Sequence, residues 1–287
     1  MLYFGNIRDY TRCSSTLRPK VASLLLYNLF LEGRNHHLMR RLLTISMSGV
    51  MILCISSCGQ APIEIPERTI TPIDLATVGT ISGTVEFSGE TPKGVSLAMG
   101  GFPGCLIGHD DVPQDNSLIV ENGKLRNVFV YIRDGLNDKV FSIPVEPVIF
   151  DQRGCLYTPH VLGVQRYQPV AVLNNDSLLH NVHAMPAKQT GFNFGQPVAG
   201  MKTIVQFRQE EVMVPVKCDV HGWMKAYIGV LDHPYFSVTP ANGTFLLEDV
   251  PPGQYTLEAW HEVLGVQTVE VAVTDSDELI VNFRFSP

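Results

Sequence analysis

Short runs of alternating and β-branched residues, separated by turn signals, recur along most of this chain. Thr80–Phe87, for example, reads TISGTVEF and ends at a Ser88-Gly89 turn. Two further runs flank Asn122-Gly123, a pair that suits the type I′ turn of a β-hairpin. No segment keeps the period of an amphipathic helix, and the chain contains 24 glycines and 19 prolines. These patterns predict an all-β fold.

The size and charge of the chain limit its partners. Its 287 residues suffice for one large or two modest domains. The formal net charge is −7, and the basic residues are over-represented in residues 1–57, so the remainder is more acidic than the whole. An acidic body argues against nucleic acid as a partner and favours a basic protein surface.

The N-terminal region has the pattern of an export signal. Met39-Arg40-Arg41 precedes an apolar run that ends in small residues at Cys58. The sequence ISSC at residues 55–58 resembles a bacterial lipobox, which implies cleavage before Cys58, a lipid on its thiol and a periplasmic or other extracytoplasmic location. An ordinary signal peptide or an uncleaved anchor is the alternative. We therefore predict a leader over residues 1–57, with a lipoprotein signal peptide at 39–57 and a mis-assigned start or disordered extension at 1–38, followed by a tether over 58–77.

The stretch Val216–Val230 carries the strongest functional signal. It reads VKCDVHGWMKAYIGV and places Cys218, His221 and Met224 at steps of three before a strand-like run. A thiolate, an imidazole and a thioether suit a soft, redox-active copper ion, and a copper site with a weak axial Met needs a second imidazole. The segment LNNDSLLHNVHAMP, residues 173–186, offers two histidines for that position.

Together these two segments resemble the plastocyanin-type cupredoxins. The matching motifs are NNDSLLHNV and, further along, CDVHGWM followed by YIGV, and the Cys-x-x-His-x-x-Met loop is similar in length to that of the amicyanins. The resemblance spans roughly residues 145–235 and implies a Greek-key β-sandwich with one type 1 copper ion. It also implies one-electron transfer without turnover of a substrate. The implied copper ligands are His180, Cys218, His221 and Met224.

Two residues next to these ligands have several candidate roles. His183 lies three positions after His180, so the two side chains point to opposite faces of a regular strand. His183 is then a residue that supports the ligands, a separate metal donor, an exposed residue where electrons enter, or a solvated surface histidine. Trp223 shields the copper, contributes to a docking surface, or simply packs in the core.

Two Cys–His pairs depart from a minimal cupredoxin. Cys105 and His109 lie in a Gly- and Pro-rich loop, whereas Cys155 and His160 precede a predicted strand. Because thiols of exported proteins usually pair, we expect a Cys105–Cys155 disulfide. The alternative is a second metal site built from Cys155, His160, His183 and His109.

The C-terminal segment resembles a second family of β-sandwiches. TPANGTFLLEDVPPGQYTLEAWHEVLGVQTVEVAVT is similar to the carboxypeptidase regulatory-like (transthyretin-like) domains, which are interaction or structural modules. The first strands of that fold are matched early in the chain by GTISGTVEF and LRNVFVYI, which implies an inserted cupredoxin, with tandem domains as the alternative. His261 and Glu262 diverge on a strand and are interpreted as structural or surface residues. The predicted division is 78–140 with 239–287 for the regulatory-like domain and 141–238 for the cupredoxin.

These observations predict an exported, lipid-anchored copper protein. It would carry single electrons between envelope redox partners, and its acidic body favours a cationic partner such as a c-type cytochrome. The alternatives are a copper-delivery lipoprotein and a structural envelope protein with a degenerate site. We do not expect an enzyme, because the sequence presents no acid–base pair or nucleophile constellation.

Overall fold

The computed structural model describes residues 63–91 and 93–287. Regular structure in these residues is β-strand apart from two short 3-10 helices, Met99–Gly101 and Pro103–Leu106, so the prediction of an all-β chain is confirmed. The predicted leader, the Cys58 lipidation site and the start of the predicted tether lie outside the described residues. The strands are β1 Gly79–Phe87, β2 Val120–Glu121, β3 Lys124–Leu125, β4 Phe129–Asp134, β5 Val148–Arg153, β6 Leu156–Thr158, β7 Val161–Gln165, β8 Val170–Asn174, β9 His180–Ala184, β10 Phe192–Gln196, β11 Met201–Val205, β12 Glu211–Lys217, β13 Lys225–Leu231, β14 Phe236–Val238, β15 Thr244–Val250, β16 Gly253–His261, β17 Gly265–Val273, β18 Glu278–Ile280 and β19 Phe283–Phe285.

The first sandwich is built from the strands at the two ends of the described chain. One sheet has the order β15-β1-β3-β2, with β18 and β19 also paired to β1, and the other has the order β14-β4-β16-β17. Alternate residues of β16, namely Tyr255, Leu257 and Ala259, are buried, as the period of a strand requires. They share one core with Ile81 and Val85 of β1.

The second sandwich is built from the middle of the chain, β5 to β13. Its sheets have the orders β10-β9-β12-β13-β7 and β11-β8-β5-β6, so many neighbouring strands are not consecutive, as in Greek-key sandwiches. A core of buried side chains from strands of both sheets, including Phe150, Val172, Val182 and Ile228, lies between them. The two-sandwich fold class is therefore present. The exact division into domains stays a prediction. Strand β14 lies at the C-terminal end of the predicted cupredoxin domain, and it pairs with β4 of the first sandwich.

A third cluster of apolar side chains joins the two sandwiches. Phe129 of β4 is buried together with Val161 of β7. Gly229 of β13 leaves room for the Phe129 ring, because a Cβ atom at residue 229 would lie only 2.6 Å from that ring. Gly163 of β7 likewise leaves room for the Phe236 ring, because a Cβ atom at residue 163 would lie only 2.4 Å from it. The two sandwiches therefore share a small apolar core. The second sandwich contains the predicted copper ligands.

Two buried histidines should make stability depend on pH. Burial lowers the pKa of both His233 and His261 to about 4 from an ordinary value of 6.5. The unfolded chain therefore binds more protons than the folded one between these values, and the folded state loses stability as the pH falls from 6.5 to about 4. The expected loss is roughly 3 kcal/mol for each histidine.

Urea unfolding of the metal-free protein at a series of pH values measures this loss. His261→Gln removes one of the two titrations, so its free energy of unfolding should decline less steeply than that of the wild type over this window. Equal slopes for the wild type and for both His233→Gln and His261→Gln would contradict the assignment.

Candidate metal centre

A tight loop between β12 and β13 gathers three of the predicted copper ligands. The backbone N–H of Cys218 donates to the Met224 carbonyl at 3.1 Å, and the N–H of Met224 donates to the His221 carbonyl at 2.9 Å. These bonds close the loop on itself between two paired strands. Cys218, His221 and Met224 therefore lie at one end of the second sandwich, and all three are buried.

Strand pairing brings His180 to the same place. His180 is the first residue of β9, and β9 pairs antiparallel with β12, with His183 opposite Lys217. The Nδ1 atom of His180 lies 3.0 Å from the Nδ1 atom of His221, which lies 3.9 Å from the Sγ atom of Cys218. The three side chains offer ligand atoms that all lie within 4.8 Å of one another, and His180 has no exposed surface.

Asp176 fixes the orientation of the His180 ring. One carboxylate oxygen of Asp176 lies 2.8 Å from Nε2 of His180, so the Nδ1 atom faces Cys218 and His221. The carboxylate is held in turn by the backbone N–H groups of Gly154, at 2.7 Å, and Cys155, at 2.8 Å. Asp176 was not among the residues predicted from the sequence. The signal that could have indicated it is a carboxylate four residues before a candidate histidine ligand.

The two asparagines that flank this region organise the ligand loops. Asn174 donates to the carbonyl groups of Leu178 and Gln196 and accepts the N–H of Asp176, which pins the loop before β9. Asn181 follows His180, and its side-chain oxygen accepts the N–H of Asp219 at 2.7 Å and lies 3.3 Å from the Cys218 sulfur. Asn181 therefore ties β9 to the cysteine loop.

The electrostatics of the metal-free site favour a thiolate. Burial raises the pKa of the Cys218 thiol, but hydrogen bonds from His180 and from backbone N–H groups outweigh it and bring the pKa below its ordinary value. Burial lowers the pKa of His180, but the hydrogen bonds with Asp176 and Cys218 outweigh it and raise the pKa to about 9. Burial and the neighbouring charge of His180 both lower the pKa of His221. The shifts at Cys218 and His221 favour the thiolate and the neutral imidazole that bind metal, whereas His180 would release a proton when the ion binds.

Cys105 and Cys155 form a disulfide bond that lies beside this centre. The ligand atoms of these two residues and of His221 lie within 4.8 Å of one another. Trp223 packs its ring against His221, at 5.3 Å between centroids, and its Nε1–H donates to the Cys155 carbonyl at 3.0 Å. Trp223 thus connects the ligand loop to the disulfide.

The other predicted metal donors have partners elsewhere. His160 makes a short hydrogen bond with Glu262 and a second one, at 3.1 Å, with the Lys225 carbonyl. His183 is partly exposed and pairs with Asp219 at 3.0 Å, and Nε2 of His109 donates to the Gly154 carbonyl. Among the described residues, the candidate metal-binding groups contain none of these three histidines.

The residues at the centre fit a copper ion by their chemistry. Two imidazoles and one thiolate that converge in a buried site form the His₂Cys set typical of blue-copper proteins, and a buried Met from the same loop suits the weak axial position. Asp176 accepts a hydrogen bond from His180, and the side-chain oxygen of Asn181 lies 3.3 Å from the Cys218 sulfur, so both residues support metal ligands, as is usual in metal sites. His180, Cys218, His221 and Met224 are the residues that would hold the ion.

Comparisons with known proteins give limited similarities. No family model and no curated protein matches the chain. Among solved structures, a purple cupredoxin from Nitrosopumilus maritimus is 19% identical over 29% of this chain and 98% of its own, with a TM-score of 0.25. A mutant amicyanin in the oxidised state is 17% identical over 35% of this chain and 97% of its own, with a TM-score of 0.28. A copper-containing nitrite reductase from Thermus scotoductus is 18% identical over 43% of this chain and 28% of its own, with a TM-score of 0.27. TM-scores this low support no functional inference.

Among the described residues, no helix has the length and apolar composition that a bilayer-spanning segment requires.

Proposed function

We propose that this chain is a mononuclear type 1 copper protein that carries single electrons between redox partners. The observation that supports this most strongly is the convergence of the Nδ1 atoms of His180 and His221 and the sulfur of Cys218 in one buried site. Bound copper would supply a one-electron couple between Cu(II) and Cu(I). No substrate turnover is part of this proposal.

The surroundings of the ligands suit a carrier. His180 lies on a paired strand and is oriented by Asp176, while the Cys218 loop is closed by backbone hydrogen bonds. Ligands held in this way change position little when the charge of the bound ion changes. Their burial also excludes water and resists loss of the ion, which favours electron transfer over copper delivery.

The location and the partner belong to the same proposal. The lipobox-like ISSC at residues 55–58 supports export and a lipid anchor at Cys58, which would hold the protein at the outer side of a bacterial membrane. The net charge of −7 supports a cationic redox partner, such as a c-type cytochrome.

A potentiometric titration of the copper-loaded full chain tests the function. The visible absorption should disappear and return with a one-electron Nernst slope, and the copper should remain bound through repeated cycles in the presence of a Cu(I) chelator. Transfer of the metal to the chelator on the first reduction would instead identify a delivery protein and overturn the carrier proposal.

Asp176→Asn should weaken copper binding without unfolding the protein. The variant removes the carboxylate charge that orients His180, and the loss of such a supporting partner typically costs roughly 10- to 100-fold in metal affinity. Competition with a chelator measures the affinity. Asp151→Asn is the matched control, because Asp151 bonds to the neighbouring Asn175 instead of a ligand. Equal affinities in the two variants would contradict the role of Asp176.

A further inference from the structure

A segment outside the predicted ligand motifs covers the metal centre. The connection between β1 and β2 contains the two 3-10 helices, and Phe102 lies between them. The Phe102 ring meets the His221 ring edge-on, with 4.9 Å between centroids, and also contacts Trp223 at 5.3 Å. Phe102 therefore lies directly on a candidate copper ligand.

Two backbone hydrogen bonds and a nearby disulfide restrain the backbone at Phe102. Its N–H donates to the Met99 carbonyl at 2.8 Å, and its own carbonyl accepts the N–H of Cys105 at 2.9 Å. Cys105 is joined by the disulfide to Cys155, and the carbonyl of Cys155 accepts the Trp223 hydrogen bond. The segment is thus anchored to the second sandwich next to the ligand loop.

The consequence of this contact is visible in the exposed surfaces. His221 is only 3% exposed, whereas Phe102, whose ring contacts the imidazole, is 40% exposed, so the phenyl ring lies between part of the imidazole and the solvent. Water-soluble ions and small reductants gain little by contact with an apolar ring, and they have no direct contact with the imidazole beneath it.

We propose that Phe102 is a specificity-determining residue that closes the centre at His221 to small dissolved ligands and reductants. This inference rests on the proposed function and deepens it, since it states which class of reactants the copper centre excludes. The ring acts through its apolar bulk, and the disulfide-linked segment keeps it in place.

The first test needs no metal. Diethyl pyrocarbonate modifies accessible imidazoles, and peptide mass spectrometry reports the modification of each histidine separately. In the metal-free wild type, His221 should react more slowly than the partly exposed His183. In Phe102→Ala the rate at His221 should rise roughly tenfold, the change that corresponds to a barrier lower by about 1.4 kcal/mol. Phe102→Leu, which keeps apolar bulk, should retain most of the protection.

Ile107→Ala is the matched control for this test. Ile107 lies in the same segment and is 78% exposed, and its substitution should leave His221 protected. Circular dichroism checks that each variant is folded. Equal rates at His221 in the wild type and Phe102→Ala, or an equal increase in Ile107→Ala, would overturn the proposal.

The second test uses the copper-loaded protein. Added azide should perturb the visible spectrum of Phe102→Ala and leave that of the wild type unchanged, and a change in both would overturn the proposed role. A protein that fails to take up copper defeats the proposed function alone, because the metal-free modification rates still decide whether Phe102 protects His221.

Discussion

Cys218→Ser should abolish the intense visible absorption of the copper-loaded protein. That band requires charge transfer from a thiolate sulfur to Cu(II), and Cys218 is the one thiol among the described residues that is not in a disulfide. The substitution changes one atom in a buried loop, so the fold should be retained. Copper affinity should fall by more than about 100-fold, the upper range for the loss of a mere supporting partner.

Absorption spectroscopy and chelator competition measure both effects. His183→Gln is the control, because His183 lies on the same strand as His180 but pairs with Asp219 at the surface. That control should keep the band and the affinity. A band that survives in Cys218→Ser, or is lost equally in His183→Gln, would contradict the ligand assignment.

The double substitution Cys105→Ala with Cys155→Ala should strongly destabilise the protein. The disulfide closes a loop with a sequence separation of 50 residues, and the chain-entropy relation for a loop of this length gives about 4 kcal/mol. The disulfide also holds Cys155 in place, and the backbone N–H of this residue supports Asp176, so release of the loop should lower copper affinity as well.

Denaturant unfolding of the metal-free protein measures the first effect. A reductant should lower the stability of the wild type to that of the double variant and should leave the double variant unchanged. A difference between the two proteins below about 1 kcal/mol would mean that the bond contributes little to the folded state.

The fold class and the ligand loop were accessible from the sequence for local reasons. Alternating strand patterns and turn pairs such as Asn122-Gly123 depend only on neighbouring residues. Cys218, His221 and Met224 likewise lie on one short loop, where spacing alone suggests a shared metal. His180 required the resemblance to a family, because its approach to Cys218 depends on the pairing of β9 with β12.

The remaining features depend on tertiary contacts that spacing does not encode. Phe102 is far from His221 in the chain, and only the folded segment places their rings 4.9 Å apart. His160 was a candidate metal donor, but its partner is Glu262, 102 residues away. Glu262 itself was interpreted as a structural or surface residue, and its side chain is only 6% exposed in this pair.

X-ray absorption spectroscopy at the copper edge of the loaded full chain tests the central claim most directly. The claim is that His180, His221 and Cys218 together hold one copper ion. We expect one strong sulfur scatterer together with two imidazole nitrogens, and the loss of that sulfur in Cys218→Ser. A first shell of nitrogen and oxygen atoms alone in the wild-type protein would contradict it.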